Sequence, residues 1–458
     1  MTERPITHHP NRSRRSFIRT ATIGSAGSAL LLDTRLQRSA HAAGADGTLK
    51  LALIGCGGRG TGAAVQALST EGPVKLWAMA DAFEDRLESS LSSMQRGVSS
   101  RYDRAAADSL GAPIDVPPER RFIGLNAYKK AIDSGVDVAI IAAPPGFRPQ
   151  HFEYAVQSGK HVFMEKPVAT DAPGIRRVLA AAEQATQKKL KVGVGLQRHH
   201  QASYQEAIRR IHDGEIGRLV AQRCFWNASA PAKTPVSREE SISELQHQVR
   251  NWYFFHWLSG DHICEQHVHN LDVCNWVQQD HPIKAEGMGG RQVRTGKEYG
   301  NIYDHHAVIY TYADGTTMHS YCRQIRGCQN QVAEYIEGSK GSASLGTARC
   351  TLFSGGNKIW ESKRRRDKSP YQVENDVLFD AIRNDKPHNE AENGAIATMT
   401  AILGRLATYS GNVVSWDDAM ASDIRLTIDA EDWDADAPVQ PREDGSYEIA
   451  MPGKTKVL

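Results

Sequence analysis

The chain has 458 residues, with 55 Lys and Arg against 53 Asp and Glu, a formal net charge of +2, and 40% hydrophobic residues. That length exceeds one ordinary core and predicts two domains. The near balance of charge offers no footprint for nucleic acid or an anionic membrane surface, so neither is expected as a partner.

The first residues read as an export leader. Ser13-Arg14-Arg15-Ser16-Phe17-Ile18-Arg19 is a twin-arginine pattern, the apolar stretch Ala21 to Leu32 is too short to span a bilayer, and Ala40-His41-Ala42 offers a signal-peptidase site. A mature start at Ala43 removes seven Arg and two acids, leaving 416 residues with 48 basic and 51 acidic side chains. No later apolar run is long enough for a transmembrane helix, so no stable membrane anchor is expected and the localisation reads as periplasmic or otherwise exported. A protein exported folded carries any bound cofactor with it and must hold that cofactor tightly. The seven Cys form no C-x-x-C pair and read mostly as small apolar core residues.

Lys50 to Gly55 reads as a strand buried on both faces, followed by Gly55-x-Gly57-Gly58-Arg59-Gly60 and a helix from about Arg59 to Leu68. Gly55 permits a sharp turn, Gly57 with Gly58 beside it lets backbone approach a pyrophosphate, and Gly60 lets the helix pack on the strand. Arg59 is a candidate phosphate or ribose contact. The strand Val74–Asp81 ends in an acid that would accept the ribose hydroxyls and repel a 2′-phosphate, which favours NAD, while Arg59 and Arg86 keep NADP open. Alternatively, Asp81 caps the next helix.

After a polar insertion (roughly 89–120) come a helix from Asn126 to Ser134 and a strand from Asp137 to Pro145, whose Pro144-Pro145 end marks the expected ligand crevice. A helix from Pro149 to Ser158 and a strand His161–Met164 lead into Glu165-Lys166-Pro167, and Lys191 to His200 reads as the last strand of this region running into a polar rim. This alternation predicts an α/β fold with a doubly wound parallel (Rossmann) sheet. Beyond Gly217, longer alternating strands (218–227, 283–293, 305–312, 316–324), the last two joined at Ala313-Asp314-Gly315, predict an α+β domain with a large, mostly antiparallel sheet. Helices are expected at 371–383 and 391–408, and 431–445 reads as an acidic loop. The division is thus a leader at 1–42, a dinucleotide-binding domain at 43–200, a substrate and oligomerisation domain at 201–430 and a tail at 431–458, in an expected homo-oligomer.

The densest polar constellation spans Ser259 to Asp272. The three/four spacing of His262, Glu265, His269 and Asp272 predicts one shared helix face, which is costly to bury unless paired or functional. Three readings stay open on the residues alone: His269 is a general base oriented by Glu265; His267 and His269 bind a metal, although residues two apart diverge on a helix; or these are solvated helix residues. No metal is expected. Upstream, Asn251 to Trp257 holds five aromatics, which suit either sugar stacking, with Trp252 the candidate, or an inter-domain or dimer contact. Arg148, Arg198, His199 and Asp272 are further substrate candidates.

Gly55-x-Gly57-x-x-Gly60, Pro144-Pro145 and Gly159-Lys160-His161-Val162-Phe163-Met164-Glu165-Lys166-Pro167 together resemble the glucose–fructose oxidoreductase/inositol dehydrogenase/rhizopine catabolism family. The resemblance implies NAD(P)-dependent oxidation of a carbohydrate or cyclitol hydroxyl, a small-molecule partner. It implies that Gly55, Gly57, Gly58, Arg59, Gly60, Asp81, Pro144, Glu165 and Lys166 line the cofactor. It puts Lys166 beside nicotinamide and substrate, with His269 as base; where this chain has Glu265, the family usually has Asp. Some relatives instead break glycosidic bonds by transient oxidation, and that remains the alternative.

Overall fold

The computed structural model describes residues 47–96, 114–229, 231, 233–363 and 368–458. The twin-arginine pattern and its cleavage site lie outside the described residues.

The buried apolar runs of the first part become six parallel strands: β1 Leu49–Ile54, β2 Val74–Asp81, β3 Arg121–Ile123, β4 Val138–Ile141, β5 His161–Met164 and β6 Val192–Val194, in the order β3-β2-β1-β4-β5-β6. Helices α1 Gly58–Leu68, α2 Glu84–Gln95, α3 Ala127–Asp133, α4 Arg148–Gln157 and α5 Ala172–Gln187 alternate with them. Strand order reverses between β1 and β4, which opens a crevice at the C-terminal ends of those strands. The region expected to be a polar insertion begins inside α2, where Leu87, Leu91 and Met94 are buried against the sheet.

The chain then passes through α6 Ala202–His212 into a nine-stranded sheet. Its strands are β7 Leu219–Ala228, β8 Lys284–Gly290, β9 His305–Thr311, β10 Thr317–Gln324, β11 Gln331–Gly338, β12 Gly341–Leu345, β13 Thr351–Ser354, β14 Asn357–Glu361 and β15 Val414–Ser415. All its pairings are antiparallel except β7 with β10. Between β7 and β8 run the short helices α7 Glu244–Arg250, α8 His256–Ser259 and α9 His262–Glu265, then α10 Val268–Gln278.

Two late helices join the layers. In α11, Pro370–Arg383, Leu378, Phe379 and Ile382 pack with Leu53, Ile140 and Phe163 of the first sheet. Helix α12, Ala391–Ser410, lies between α5 and the face of the second sheet, and its Ala401, Ile402 and Leu403 join one core with Val178 and Val308. A last helix, α13 Trp416–Ala421, precedes a segment without helix or strand. All seven Cys are free, and every one except Cys328 is buried. Among the described residues no helix is long and apolar enough to cross a membrane.

Candidate active site

The turn after β1 is shaped by steric necessity. Gly55 has φ +92°, and a Cβ there would lie 2.4 Å from Ala143 N; a Cβ on Gly60 would lie 1.9 Å from Gly55 O. Gly57 and Gly58, by contrast, are exposed and meet nothing within 4 Å. Open backbone beside the N-terminus of α1 is what a pyrophosphate needs.

Asp81 closes the turn from β2. Its Oδ2 accepts from Cys56 N at 2.6 Å and its Oδ1 from Phe83 N at 2.9 Å. Burial pushes its pKa up, against the pull of those two N–H groups and Arg86. The carboxylate thus fixes the glycine turn and the entry to α2, and its remaining lone pairs are available to a ribose.

Arg59, expected to contact a phosphate or ribose, is engaged by neighbouring side chains. Its Nε pairs with Glu165 at 2.8 Å, Nη2 donates to Gln66, and the guanidinium lies 4.8 Å from the Tyr371 ring centroid. Arg148 is no rim residue: it is buried, and donates to the main-chain oxygens of Ala143 and Pro167, tying the β4 end to the cis Lys166–Pro167 peptide. Burial lowers its pKa to about 10, against Glu165 and Glu265.

Lys166 leaves the first sheet just beyond β5 and meets the second domain. Its Nζ donates to the main-chain oxygen of Glu265 and lies 3.6 Å from Glu265 Oε1. The expected single helix through Glu265 and His269 is broken: α9 ends at Glu265, and α10 starts at Val268. Glu265 consequently engages Lys166 and Gln266, not His269. His269 is buried, with its ring stacked against Trp226 at 6.1 Å. Burial, with Lys166 and Arg198 nearby, holds its pKa well below the ordinary histidine value. The imidazole is therefore neutral, the form a general base requires, although burial and the two cations oppose its protonated form.

The other polar groups of the constellation have structural partners. His267 is wholly buried, donating or accepting at Ser320 Oγ at 2.8 Å and lying 3.6 Å from Cys224 Sγ, so it and His269 do not converge on one ion. His262 belongs to a different cluster, where Asp261, His262 and His306 bring ligand-type atoms within 4.8 Å of one another. There the Asp261 carboxylate accepts from the main-chain N–H of His262, from Tyr303 N at 2.9 Å and from Tyr409 OH at 2.6 Å, and pairs with His262 Nδ1 at 2.9 Å. Donors already fill its lone pairs, which makes it a buried polar hub, not a ready cation cage.

Arg198 is also buried, paired with Glu334, which accepts further from Tyr204 OH at 3.0 Å and from Asn270. His199 pairs with Asp272 at 2.8 Å and stacks on Trp276; burial works against its charge, but Asp272 and Glu390 outweigh it and raise the pKa. Tyr253, Phe254, Phe255 and Trp257 are core residues, not a sugar platform, and the face of Trp252 is covered by Lys233 Nζ at 4.2 Å. Sequence reasoning missed Trp226. Its signal was the strand alternation that puts it on the same face as buried Gln222 and Cys224.

Two family models match the chain in tandem. An oxidoreductase family model with an NAD-binding Rossmann fold covers residues 49–195, and the GFO/IDH/MocA C-terminal domain model covers 204–344. The chain is 27% identical over 241 residues to inositol 2-dehydrogenase of Acidiphilium cryptum, covering 51% of this chain and 61% of that protein. It is 28% identical over 220 residues to inositol 2-dehydrogenase of Pseudomonas fluorescens, covering 45% and 57%. The matches thus span less than two thirds of these relatives. Among solved structures, aldose-aldose oxidoreductase from Caulobacter crescentus superposes with a TM-score of 0.61 at 18% identity, over 80% of this chain and 99% of that one. Scyllo-inositol dehydrogenase from Lactobacillus casei, solved with NAD(H) and scyllo-inositol, gives 0.57 at 19% identity over 81% and 99%. These likenesses establish the fold.

Proposed function

Because the chain belongs to the GFO/IDH/MocA oxidoreductase family, we propose that it oxidises a hydroxyl of a cyclitol or carbohydrate with NAD held in its Rossmann crevice. The observation that carries this reading is the meeting of Lys166, at the end of β5, with Glu265 from the second domain, beside the neutral His269. The open Gly57-Gly58 backbone and Asp81 at the end of β2 fit a dinucleotide. When bound, that cofactor supplies a hydride acceptor.

The remaining work falls to side chains. Lys166, held in place by Glu265, has a donor left for the substrate hydroxyl oxygen and lowers the cost of charge developing there. His269 takes the hydroxyl proton. Its Nδ1 is buried without a protein partner, so Nε2 is the nitrogen offered to substrate. Glu265 is a positioning residue for Lys166 rather than for the histidine. The Arg14-Arg15 leader supports export of the folded, loaded enzyme, which would then regenerate its nicotinamide in place.

The test is to denature purified protein, identify any released dinucleotide by mass spectrometry, and analyse products from inositols, aldoses and glycosides. Released NAD and net oxidation support the reading. Glycoside cleavage without net oxidation would replace it with the hydrolytic one, and the absence of any dinucleotide binding would overturn both.

A further inference from the structure

The segment after α13 has the composition of an acidic tail, yet it is fastened along its length. Leu426 N donates to Asp171 Oδ2 at 2.7 Å, Glu431 pairs with Lys129 at 3.2 Å and accepts from Asn126 through its main-chain oxygen, and Tyr447 OH donates to Glu244 at 2.6 Å. Further on, Ala450 O accepts from Tyr303 OH at 2.8 Å and Gly453 N donates to Ser410 O at 2.7 Å. Residues 422–458 therefore run from the first domain to the second as a strap. They lie beyond the residues matched by either family model.

The strap crosses a particular place. Trp433 stacks on Phe83 at 5.4 Å with the rings 22° apart, and Phe83 is the residue whose N–H binds Asp81. Asn126, which holds Glu431, follows the end of β3, where Gly124 N donates to Asp81 O at 3.0 Å. Ala143 and Phe147 at the end of β4 share one apolar cluster with Phe83 and with Trp433, Ala437 and Tyr447 of the strap. A dinucleotide whose ribose is held at Asp81 has its adenosine half at these strand ends.

We propose that residues 422–458 form a clasp that supplies one wall of the adenosine pocket, chiefly through Trp433 on Phe83, and slows release of the dinucleotide. The proposal rests on the NAD reading above and gives a physical means for an exported enzyme to keep its cofactor. Because the strap also grips the second domain through Tyr447 and Ala450, its opening is resisted from both sides of the crevice.

The experiment loads full-length protein with NADH and follows release by the loss of bound-NADH fluorescence during a chase with excess NAD. Trp433→Ala should release NADH about three- to tenfold faster, the scale of one lost aromatic stack. In the wild type, hydrogen exchange at the amides of residues 426–447 should slow when NADH binds, a readout that does not depend on the variant folding. Unchanged release from a folded Trp433→Ala protein, or exchange indifferent to NADH, would overturn the clasp and leave the strap a structural tie. Failure of the wild type to bind NADH would instead overturn the reading on which the clasp rests.

Discussion

Arg198 separates the two ways of reading this chain, since the sequence offers it as a substrate contact and the fold buries it. Its guanidinium pairs with Glu334, and the two side chains are 2% and 0% exposed. Burial pushes Glu334 up from the ordinary carboxyl range even with Arg198, Tyr204 and Asn270 around it. Arg198→Met keeps the volume but leaves that carboxylate without its cation. Breaking such a pair typically costs about 3–5 kcal/mol, a large share of the roughly 5–15 kcal/mol that holds a domain together. The assay is urea unfolding of Arg198→Met, of Glu334→Gln and of the double variant. The single Arg198 change should be the most damaging. The double should recover much of the loss, because the neutral amide no longer needs a cation and Tyr204 and Asn270 remain as donors. The sign with pH is fixed: Glu334 takes up its proton more readily folded than unfolded, so the deficit of Arg198→Met should shrink as pH falls and deepen as it rises. Unchanged stability together with a raised KM would refute the reasoning and return Arg198 to the substrate.

His269→Ala should lose about 10²–10⁴-fold in turnover while retaining bound dinucleotide, checked by steady-state rates and nucleotide content. The depressed pKa of His269 keeps it neutral into mild acid, so the acid limb of kcat/KM should lie below about 6.5; a limb above that value would assign the proton to another group. Asp81→Asn keeps an acceptor for Cys56 N or Phe83 N but removes the charge, and should relax discrimination against NADP by about tenfold or more, measured as the ratio of dissociation constants. Gly60→Val should fail to fold or load, because its Cβ would overlap Gly55 O, and nucleotide content by mass spectrometry reads this directly.

The first sheet was legible because parallel strands buried on both faces leave unbroken apolar runs, and because glycines and an acid must stand at fixed places around a dinucleotide turn. The second domain was legible only in part. Strands β7 to β10 show alternation, but β11 to β14 were not anticipated. The break between α9 and α10 was invisible because the three/four spacing of Glu265, His269 and Asp272 continues across it. The positive φ of Gly260 and Asp261 separates α8 from α9, while at the break itself His267 N donates to His262 O, five residues back, at 3.2 Å, a wider step than an α-helix makes. Periodicity records which residues share a side of the chain, not whether the helix between them is continuous. The return of α11 to the first sheet leaves no local trace, since its partners at Leu53 and Phe163 lie some two hundred residues or more earlier. The strap misled for a related reason: its acids dominate the composition, while Leu426, Ile428, Trp433 and Val439 between them do the packing.

The central claim is that His269 takes the proton of a substrate hydroxyl and Lys166 steadies the charge on its oxygen, where bound NAD would supply the hydride acceptor for the carbinol carbon. A single-turnover experiment tests it most directly: enzyme with stoichiometric NAD is mixed with an inositol or aldose, protonated or deuterated at the carbinol carbon, and the near-ultraviolet absorbance of reduced nicotinamide is followed. The account predicts one reduced nicotinamide per active site, slower with the deuterated substrate and nearly abolished in His269→Ala. Product formation without reduced nicotinamide and without an isotope effect, or an undiminished rate in His269→Ala, would contradict it.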